Sequence, residues 1–382
     1  MDSDTVTQRL RSGGLYTQAN NFLSHVSTGV DPRTGQFTLG CSLPELHAND
    51  LAGPVIKLSL QFSPLGSHRN SGFGLGWTPS FSLLDFNSDR LVINSGDSFS
   101  VDRDRSDFSR GGLLAFHDQK LCAFQVVVDD DQGRRFRVEY KDGATEYLQL
   151  QETSGVAMLV EVRSARGRKG YLDWATLGDS QRLMQIRDEE RILLKVVHDT
   201  DQATLTVHPS TAQAATFTLD FLSDRLDRLT LSDRVSSWRF EYDIDPPSGL
   251  LFPSIVQGPL GSVDEVVYAK GADGHRLPPG APLAYLPRVL HHRHDPGAGQ
   301  PATYKTHTWI GNANFLGFGA QIPGGWRDGE DNLYRTDSYE YRCSETVFDS
   351  DNELLLTLSA PGTAFICRQS RSPSGGAVRC GN

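Results

Sequence analysis

The stretch Phe136-Arg-Val-Glu-Tyr-Lys-Asp-Gly-Ala-Thr-Glu-Tyr-Leu148 contains the pattern that recurs along the chain. Large apolar and charged side chains alternate from Phe136 to Tyr140, which is the period of a strand with one buried face. A second such run follows from Ala144 to Leu148. The Asp142-Gly143 pair between the two runs favours a tight turn, because both residues tolerate positive φ. The stretch therefore predicts a β-hairpin.

The same alternation predicts strands along most of the chain. Further runs, bounded by turn-forming residues, lie at Ile192–Val197, Ala203–Val207, Thr216–Phe221, Val266–Ala269 and Thr303–Trp309. Helical periodicity is nearly absent, and Gly178 interrupts Leu172–Met184, the one stretch that suggests it. The pattern predicts an all-β protein.

Two hairpin-sized units resemble each other. Arg182–Asp188 leads into Leu194–Asp199, and Arg228–Asp233 leads into Trp238–Asp243. Each unit runs from Arg-Leu through an Asp-bearing turn to a strand that ends at Asp. One hairpin cannot bury its apolar face alone, so such units must stack against neighbours. We therefore expect stacked antiparallel β-hairpins that form a curved sheet, as in a partial shell or a solenoid.

The overall composition excludes several classes of protein. The 382 residues are 38% hydrophobic and 22% charged, which is typical of neither a disordered chain nor a membrane protein. The formal net charge of -10 lacks the basic footprint that nucleic acids or anionic membranes require. No stretch approaches the apolar length of a membrane span. We expect no nucleic-acid partner and no membrane span.

Cysteine usage and the start of the chain bear on the compartment. The five cysteines are widely spaced, odd in number and free of Cys-x-x-Cys pairs, which argues against a disulfide framework or a thiolate zinc site. Met1–Asn21 is polar and lacks the apolar run of a signal peptide. We expect a protein that is cytoplasmic as made, with export by a specialised route as the alternative, and that uses no cofactor.

Composition divides the chain into six segments. An N-terminal tail (1–20) precedes a β segment (21–90) and a β-hairpin repeat region (91–244). Residues 245–301 contain 18 Gly or Pro, about twice the average density of the chain, and predict turns and short extended pieces rather than regular sheet. An aromatic-rich β segment (302–350) and a divergent tail (351–382), expected to be partly disordered, follow.

Three parts of the chain carry a family resemblance. They are Thr28–Thr38 with Leu43-Pro44, Phe62–Leu65 with Gly72–Trp77, and Asn314–Gly319 with Asp328–Tyr334. In this order and at this spacing they resemble the N-terminal portion of Rhs/YD-repeat proteins, which include bacterial polymorphic toxins and shell-forming subunits of insecticidal toxin complexes. Phe240-Glu-Tyr-Asp243 resembles a degenerate Tyr-Asp repeat. The resemblance extends from about Asn20 to about Thr346.

The resemblance implies a strip of β-strands that winds into a hollow shell around a toxic polypeptide. Proteins of this family usually continue with more repeats and an aspartyl self-cleavage site, and this sequence departs from them there. Asp245-Pro-Pro-Ser-Gly-Leu250 has one residue more than the family's Asp-Pro-x-Gly-Leu motif and lies in another region. No catalytic aspartate is therefore carried over.

Two motifs invite a ligand-binding interpretation. Gly72-Phe-Gly-Leu-Gly-Trp77 resembles a phosphate cradle, but Pro79 and the strand pattern after it deny it a following helix. We expect its glycines to allow close approach of strands and Trp77 to be a core aromatic. His291-His-Arg-His-Asp295 could place two imidazoles on one strand face for a metal. A solvated or partly buried polar loop is the prediction we favour there.

The segment before Tyr341 holds the remaining candidates. The carboxylates of Asp328, Glu330 and Asp331 are weak candidates for a metal site, and a turn bonded to its own backbone is the prediction that we favour there. Aromatic faces beside Asp or Asn are typical of sugar sites, and the same residues would serve as the core of a strand pair. The candidate sugar-binding residues are Trp309, Trp326, Tyr334, Asp328 and Asn332.

The sequence as a whole predicts a non-enzymatic structural segment of an Rhs/YD-repeat toxin system, part of a β-shell that encloses or carries a toxic polypeptide. Its partners would be the remainder of such a shell or the toxic polypeptide itself. A carbohydrate-binding β module acting at a cell surface, with glycans as partners, is the alternative. A hydrolase built on an unrecognised pair of carboxylates is a third hypothesis.

Overall fold

The computed structural model describes residues 25–31, 34–117, 119, 123–151, 154–178, 180–309, 313–327, 332–336, 339–350 and 353–363. Nearly all of its regular structure is β-strand, so the chain is all-β, as the alternating pattern predicts. The first ten strands are β1 Val26–Asp31, β2 Gln36–Ser42, β3 Leu46–His47, β4 Val55–Ile56, β5 Ser59–Phe62, β6 Trp77–Pro79, β7 Leu83–Asp85, β8 Arg90–Val92, β9 Ser98–Asp102 and β10 Ala115–Phe116.

The remaining strands follow in chain order. They are β11 Phe124–Val128, β12 Arg135–Tyr140, β13 Thr145–Leu150, β14 Val156–Arg163, β15 Lys169–Leu177, β16 Ser180–Arg187, β17 Ile192–His198, β18 Gln202–Val207, β19 Ala215–Leu222, β20 Arg225–Thr230, β21 Ser237–Ile244, β22 Leu251–Gln257, β23 Val263–Ala269, β24 His275–Arg276, β25 Tyr285–Leu286, β26 Arg288–Asp295, β27 Thr303–Trp309, β28 Glu340–Phe348 and β29 Leu354–Thr363. Short 3-10 turns lie at Pro64–Gly66, Gly271–Asp273 and Asn332–Arg335. No helix in the described ranges is long and apolar enough to cross a membrane.

Antiparallel pairing of sequence neighbours builds the main sheet, which we define as β7–β9, β11–β23 and β26–β29. Strands β11 to β23 pair in chain order, β23 then pairs with β26, and the order continues to β29. The hairpin predicted from residues 136–148 is β12–β13, in which Phe136 faces Leu148 and Val138 faces Glu146. Gly143 takes the positive φ that its turn requires, at 85°. The hairpin prediction is confirmed.

The two similar sequence units form hairpins with equivalent turns. They are β16–β17 and β20–β21. Asp188 accepts the backbone N–H groups two and three residues later, both at 2.9 Å. Asp233 accepts the corresponding two N–H groups at 3.0 and 2.8 Å. The Asp in each unit is therefore a turn-forming residue.

The main sheet divides at β14, because two strands share one edge of it. The first residues of β14, Val156–Met158, pair with β7. Its last residues, Glu161–Arg163, pair with β15, while β13 occupies the opposite edge. Between the two pairings the indole N–H of Trp174 donates to the carbonyl of Leu159 at 2.7 Å.

A second, four-stranded sheet lies against one face of the main sheet. We call β1–β6 the N-terminal layer, and its sheet has the order β1-β2-β5-β6. One hydrophobic core joins the layer to strands along the main sheet; it includes Phe37, Leu60, Phe62, Trp77, Leu91, Phe136, Leu194, Phe217, Phe240 and Val289. Because one core is shared by strands from β8 to β26, the main sheet must curve around the layer. The covered face is its inner face.

The glycine-rich motif Gly72–Trp77 docks the N-terminal layer on the main sheet. Gly74 has a φ of 98°, and a Cβ there would lie 2.8 Å from the backbone nitrogen of Leu226 in β20. Leu75 N–H donates to the carbonyl of Asp224 at 2.8 Å. Phe73 and Trp77 are fully buried. The glycines allow close approach of strands and Trp77 is a core aromatic, as predicted.

The Gly- and Pro-rich region differs from its prediction. We expected turns and short pieces across 245–301, yet the region contributes β22, β23 and β26 to the main sheet. Regular sheet survives because most glycines and prolines fall in the connections, and Pro253 lies where the register of β21 and β22 shifts. In the 351–382 tail, Leu354–Thr363 forms β29. Residues 351–352 and 364–382, including the part expected to be disordered, lie outside the described residues.

Candidate functional site

Several predicted site residues lie outside the described part of the chain. These are Asp328, Glu330 and Asp331, together with the side chain of Tyr334. Asn332 is buried, and its amide is used internally. Its Oδ1 accepts the backbone N–H of Arg327 at 2.8 Å, and its Nδ2 donates to the carbonyl of the same residue at 2.9 Å. Asn332 therefore closes a local turn.

Trp309 and Trp326 are both half-buried. The guanidinium of Arg288 lies 4.6 Å from the centre of the Trp309 ring, and the His275 ring meets it edge-on at 4.7 Å. A Cβ on Gly35 would lie 2.4 Å from the same indole, so the ring also packs against the turn of the β1–β2 hairpin. Packing within the protein thus accounts for much of the Trp309 surface. The sugar-binding site stays a prediction.

A cavity lies at β14, where the main sheet divides, and two of the carboxylates that line it bear on the hydrolase hypothesis. It measures about 410 Å³ and is lined by Glu161, Asp173, Arg135, Tyr171 and Trp174, among others. Arginines engage both carboxylates: Arg135 and Arg163 bond to Glu161 at 3.0 and 2.5 Å, and Arg187 bonds to Asp173 at 2.9 Å. Carboxylates paired in this way resemble a structural ion-pair network more than a catalytic pair.

The His291–Asp295 motif is a strand rather than the polar loop that we favoured. It forms most of β26, because β23 and β27 pair with it on either side despite Pro287 and Pro296 at its flanks. Two imidazoles do share one strand face, since His292 and His294 both point inward with Asp264 of β23. His292 is buried, and His294 is partly exposed.

Asp264 is the centre of a hydrogen-bond group on the inner face. His292 Nε2 and His294 Nδ1 lie 2.7 and 2.9 Å from its Oδ1. Thr28 of β1 donates its hydroxyl to Oδ2 at 2.9 Å. Burial raises the pKa of Asp264, but the hydrogen bonds from the two histidines outweigh burial and the net pKa is lowered. The carboxylate therefore stays charged and joins the N-terminal layer to the main sheet.

A second histidine–carboxylate pair lies on the same face, one strand further on. His307 of β27 lies opposite Glu345 of β28, with Nε2 3.0 Å from the carboxylate. Lys305 approaches the other oxygen of Glu345 at 3.3 Å. Burial lowers the pKa of His307, with the carboxylate opposing it. His307 is therefore held uncharged at neutral pH.

The second ring nitrogen of His307 also favours the uncharged state. The Nδ1 atoms of His292 and His307 are buried and lack a hydrogen-bond partner within the described residues. With the proton of His307 on Nε2, its Nδ1 is only an unused acceptor, whereas protonation would create a buried, unpaired N–H. No group of three or more His, Cys, Asp or Glu in the described ranges could hold a metal ion.

Sequence reasoning found only part of this cluster. The spacing of His292 and His294 shows that they share a strand face. Asp264 and Glu345 gave no local signal, because they reach the histidines through strand pairings across 28 and 38 positions of sequence. One signal could have suggested Asp264 as a partner of the histidines. In the alternating strand Val263–Ala269, an acidic residue takes one of the positions that face inward.

The outermost strand of the main sheet is the other candidate for function. Strand β29 pairs with β28 over Glu340–Phe348, and within the described ranges no other strand has a residue-by-residue register with it. Leu354, Leu355 and Leu356 at its start are 63%, 57% and 49% exposed. A long strand edge with exposed apolar side chains is a surface on which another strand can pair.

Comparison with known proteins adds little to these observations. No protein-family model matches the chain, and no curated protein matches it. Among solved structures, the Tc holotoxin pore of Photorhabdus luminescens is similar with 12% sequence identity and a TM-score of 0.34. The alignment covers 75% of this chain and 19% of that chain. The all-β fold accordingly rests on this chain's own strands.

Proposed function

We propose that the chain is a non-enzymatic structural segment of an Rhs/YD-repeat toxin system, and that it forms part of a β-shell that encloses or carries a toxic polypeptide. The observation that supports this most is the contrast between its two ends. The N-terminal layer covers the inner face over most of the main sheet, whereas β29 presents an apolar edge. Such a molecule suits the closed end of a shell whose wall continues from β29.

The inner face supports the same proposal. By register, Leu356 shares a face with Val347, Lys305 and His292, so it lies on the inner side of β29. His292 lies beneath Phe37 of the layer, with ring centres 5.5 Å apart, while Leu356 is 49% exposed. Apolar surface therefore becomes available on the inner face where the layer ends. A shell wall that faces an enclosed polypeptide would begin there.

Pairing at the edge of β29 is the physical step that the proposal requires. A strand added to this edge would satisfy its backbone N–H and C=O groups and cover the exposed leucines. The remainder of a shell would supply that strand. A second copy of the chain would supply it when the protein is alone in solution.

The mass of the chain in solution tests this proposal. Light scattering after size exclusion should give a mass above the 42.1 kDa of one chain, increasing with concentration. The Leu354→Glu/Leu356→Glu variant should return to the monomer mass, because charges on the edge oppose strand addition. Leu222→Glu, at the 67% exposed last residue of β19, is the matched control and should behave like the wild type.

A wild-type chain that is monomeric at every concentration would contradict the proposal. Equal effects of the edge variant and the Leu222→Glu control would also contradict it, because they would show that any exposed leucine drives the association.

A further inference from the structure

Polar contacts around histidines, in addition to the shared hydrophobic core, join the β1–β2 hairpin to the main sheet. At its turn, His275 Nε2 lies 2.9 Å from the carbonyl of Thr34, and the Val289 N–H donates to the carbonyl of Gly35 at 2.8 Å. Along its strands, Thr28 bonds to Asp264 and Phe37 packs edge-on against His292. Docking of the hairpin therefore depends on the states of these side chains.

His275 is the histidine at the turn of the hairpin. It is 3% exposed and is enclosed by the rings of Trp309 and Phe315, which it meets at 4.7 and 5.5 Å. Its contact with the hairpin is the Thr34 carbonyl, so the proton on Nε2 points at the hairpin. A second proton, on Nδ1, would place a charge among these rings without a counter-ion.

We propose that the docking of the β1–β2 hairpin is an acid-sensitive latch: uncharged His275 closes it at neutral pH, and protonation of His275 in mild acid releases the hairpin turn from β26 and β27. This goes beyond the proposed shell function and does not depend on it. The conformational change required is small, since it separates the turn from the strands beneath it while β2 stays paired with β5.

The charged groups around the latch determine its direction. Arg288 of β26 acts on His275 and opposes a second positive charge there, and Asp273 in the preceding 3-10 turn acts on Arg288. On the inner face further on, His292 meets Asp264 and His294, while His307 meets Glu345 and Lys305. Asp31, the last residue of β1, is a charged residue of the hairpin itself. Within the described ranges no carboxylate is bonded to His275, unlike His292 and His307.

The sign of the pH effect follows from burial. Burial lowers the pKa of His275 from 6.5 to about 4, with the hydrogen bond to Thr34 opposing it. A histidine whose pKa is lowered in the docked state takes up a proton more readily when undocked. Docking is therefore complete above the ordinary histidine pKa and weakens as the pH falls from about 6.5 towards about 4.

The size of the effect can be worked out for this single group. With a pKa of 6.5 in the undocked state and about 4 in the docked state, lowering the pH from about 7.5 to about 5 weakens docking roughly 30-fold. The Asp264 carboxylate adds nothing in this range. Its pKa is below the usual 3.8, so its contribution is lost only at lower pH.

Hydrogen exchange of the Val289 amide reports the latch directly, because that N–H is bonded to the hairpin. The full chain is exchanged at pH 7.5 and pH 5.0, and rates are corrected for the chemical exchange rate. In the wild type the protection of Val289 should fall roughly 30-fold at the lower pH. Amides of the β18–β19 hairpin, in the main sheet, should keep their protection.

Two variants separate the latch from general instability. His275→Gln keeps a donor for the Thr34 carbonyl but does not titrate, so its Val289 protection should change less than threefold between the two pH values. Thr28→Val removes a docking contact whose partner, the Asp264 carboxylate, stays charged at both pH values. Protection should therefore fall equally at both pH values, and the roughly 30-fold pH effect should remain.

Unchanged wild-type protection of Val289 at pH 5.0 would overturn the proposal. A full pH effect in His275→Gln would also overturn it. If His275→Gln does not fold, the wild type and Thr28→Val decide: loss of protection at Val289 without loss in β18–β19 supports the latch, and parallel loss in both regions refutes it.

Discussion

Gly74→Ala should destabilise the protein much more than Gly96→Ala, and the comparison tests how the N-terminal layer docks. Both glycines have positive φ, 98° at Gly74 and 87° at Gly96. A Cβ at position 96 would meet nothing within 4 Å, whereas one at position 74 would lie 2.8 Å from the backbone nitrogen of Leu226. The pair therefore separates backbone strain from a collision between layer and sheet.

The expected difference can be worked from the contacts. Backbone strain costs about 1 to 2 kcal/mol at either position. At Gly74 the collision is with backbone and cannot be relieved by a rotamer change, so the 72–77 segment must move away from β20. That movement loses the Leu75–Asp224 hydrogen bond, about 1 kcal/mol. It also loosens the packing of fully buried Phe73, worth a further ~1 to 2 kcal/mol.

Urea unfolding followed by circular dichroism measures both free energies of unfolding. Gly96→Ala should lower the value by about 1 to 2 kcal/mol, and Gly74→Ala by about 3 to 5 kcal/mol. Equal m-values would show that the same structure unfolds in each variant. If Gly74→Ala came within about 0.5 kcal/mol of Gly96→Ala, the close approach of layer and sheet would be wrong.

Three further substitutions test separate contacts. Tyr242→Phe should lower the free energy of unfolding in urea by about 2 kcal/mol, because its hydroxyl accepts the Trp77 indole N–H and donates to the Leu226 carbonyl; no change would contradict both bonds. Asp188→Ala should cost about 2 to 3 kcal/mol at neutral pH, since the buried carboxylate accepts three backbone N–H groups. Burial raises the pKa of Asp188, but those hydrogen bonds outweigh burial and lower the pKa overall. The loss of stability caused by Asp188→Ala should therefore shrink when thermal melts are recorded below pH 3.8. A loss of stability that does not depend on pH would contradict the role given to the charged carboxylate. Burial raises the pKa of Glu146, so its side chain loses its proton less readily in the folded protein than in the unfolded one. The wild type should therefore lose stability relative to Glu146→Gln as the pH rises above 4.5. A difference in Tm between the two proteins that stays constant with pH would contradict this.

The local features of the fold could be predicted from the sequence. Asp142-Gly143 marks a hairpin, and the turns at Asp188 and Asp233 follow from the side chain that bonds to the backbone two and three residues on. These features depend on neighbouring residues, so their signal lies within a short window. Close approach of strands at Gly72–Trp77 was also predictable, because Pro79 and the strand pattern after it deny these glycines the helix that a phosphate cradle needs.

The non-local features could not be predicted in the same way. Pro287 and Pro296 suggested a loop at His291–Asp295, but pairing with β23 and β27 makes it a strand. Asp264 and Glu345 join their histidines only after the strands are in register, so no spacing in the sequence shows them. The covering of the inner face by β1–β6 likewise depends on contacts such as Thr28 with Asp264, separated by 236 positions.

Hydrogen exchange of the wild-type chain at neutral pH tests the central claim, that the N-terminal layer covers most of the inner face of the main sheet. Amides of β2 and β5 should be as well protected as those of β12 and β13, because one core joins them. Exchange of β2 and β5 within seconds, while β12 and β13 remain protected for hours, would show that the layer is not docked. It would contradict the account.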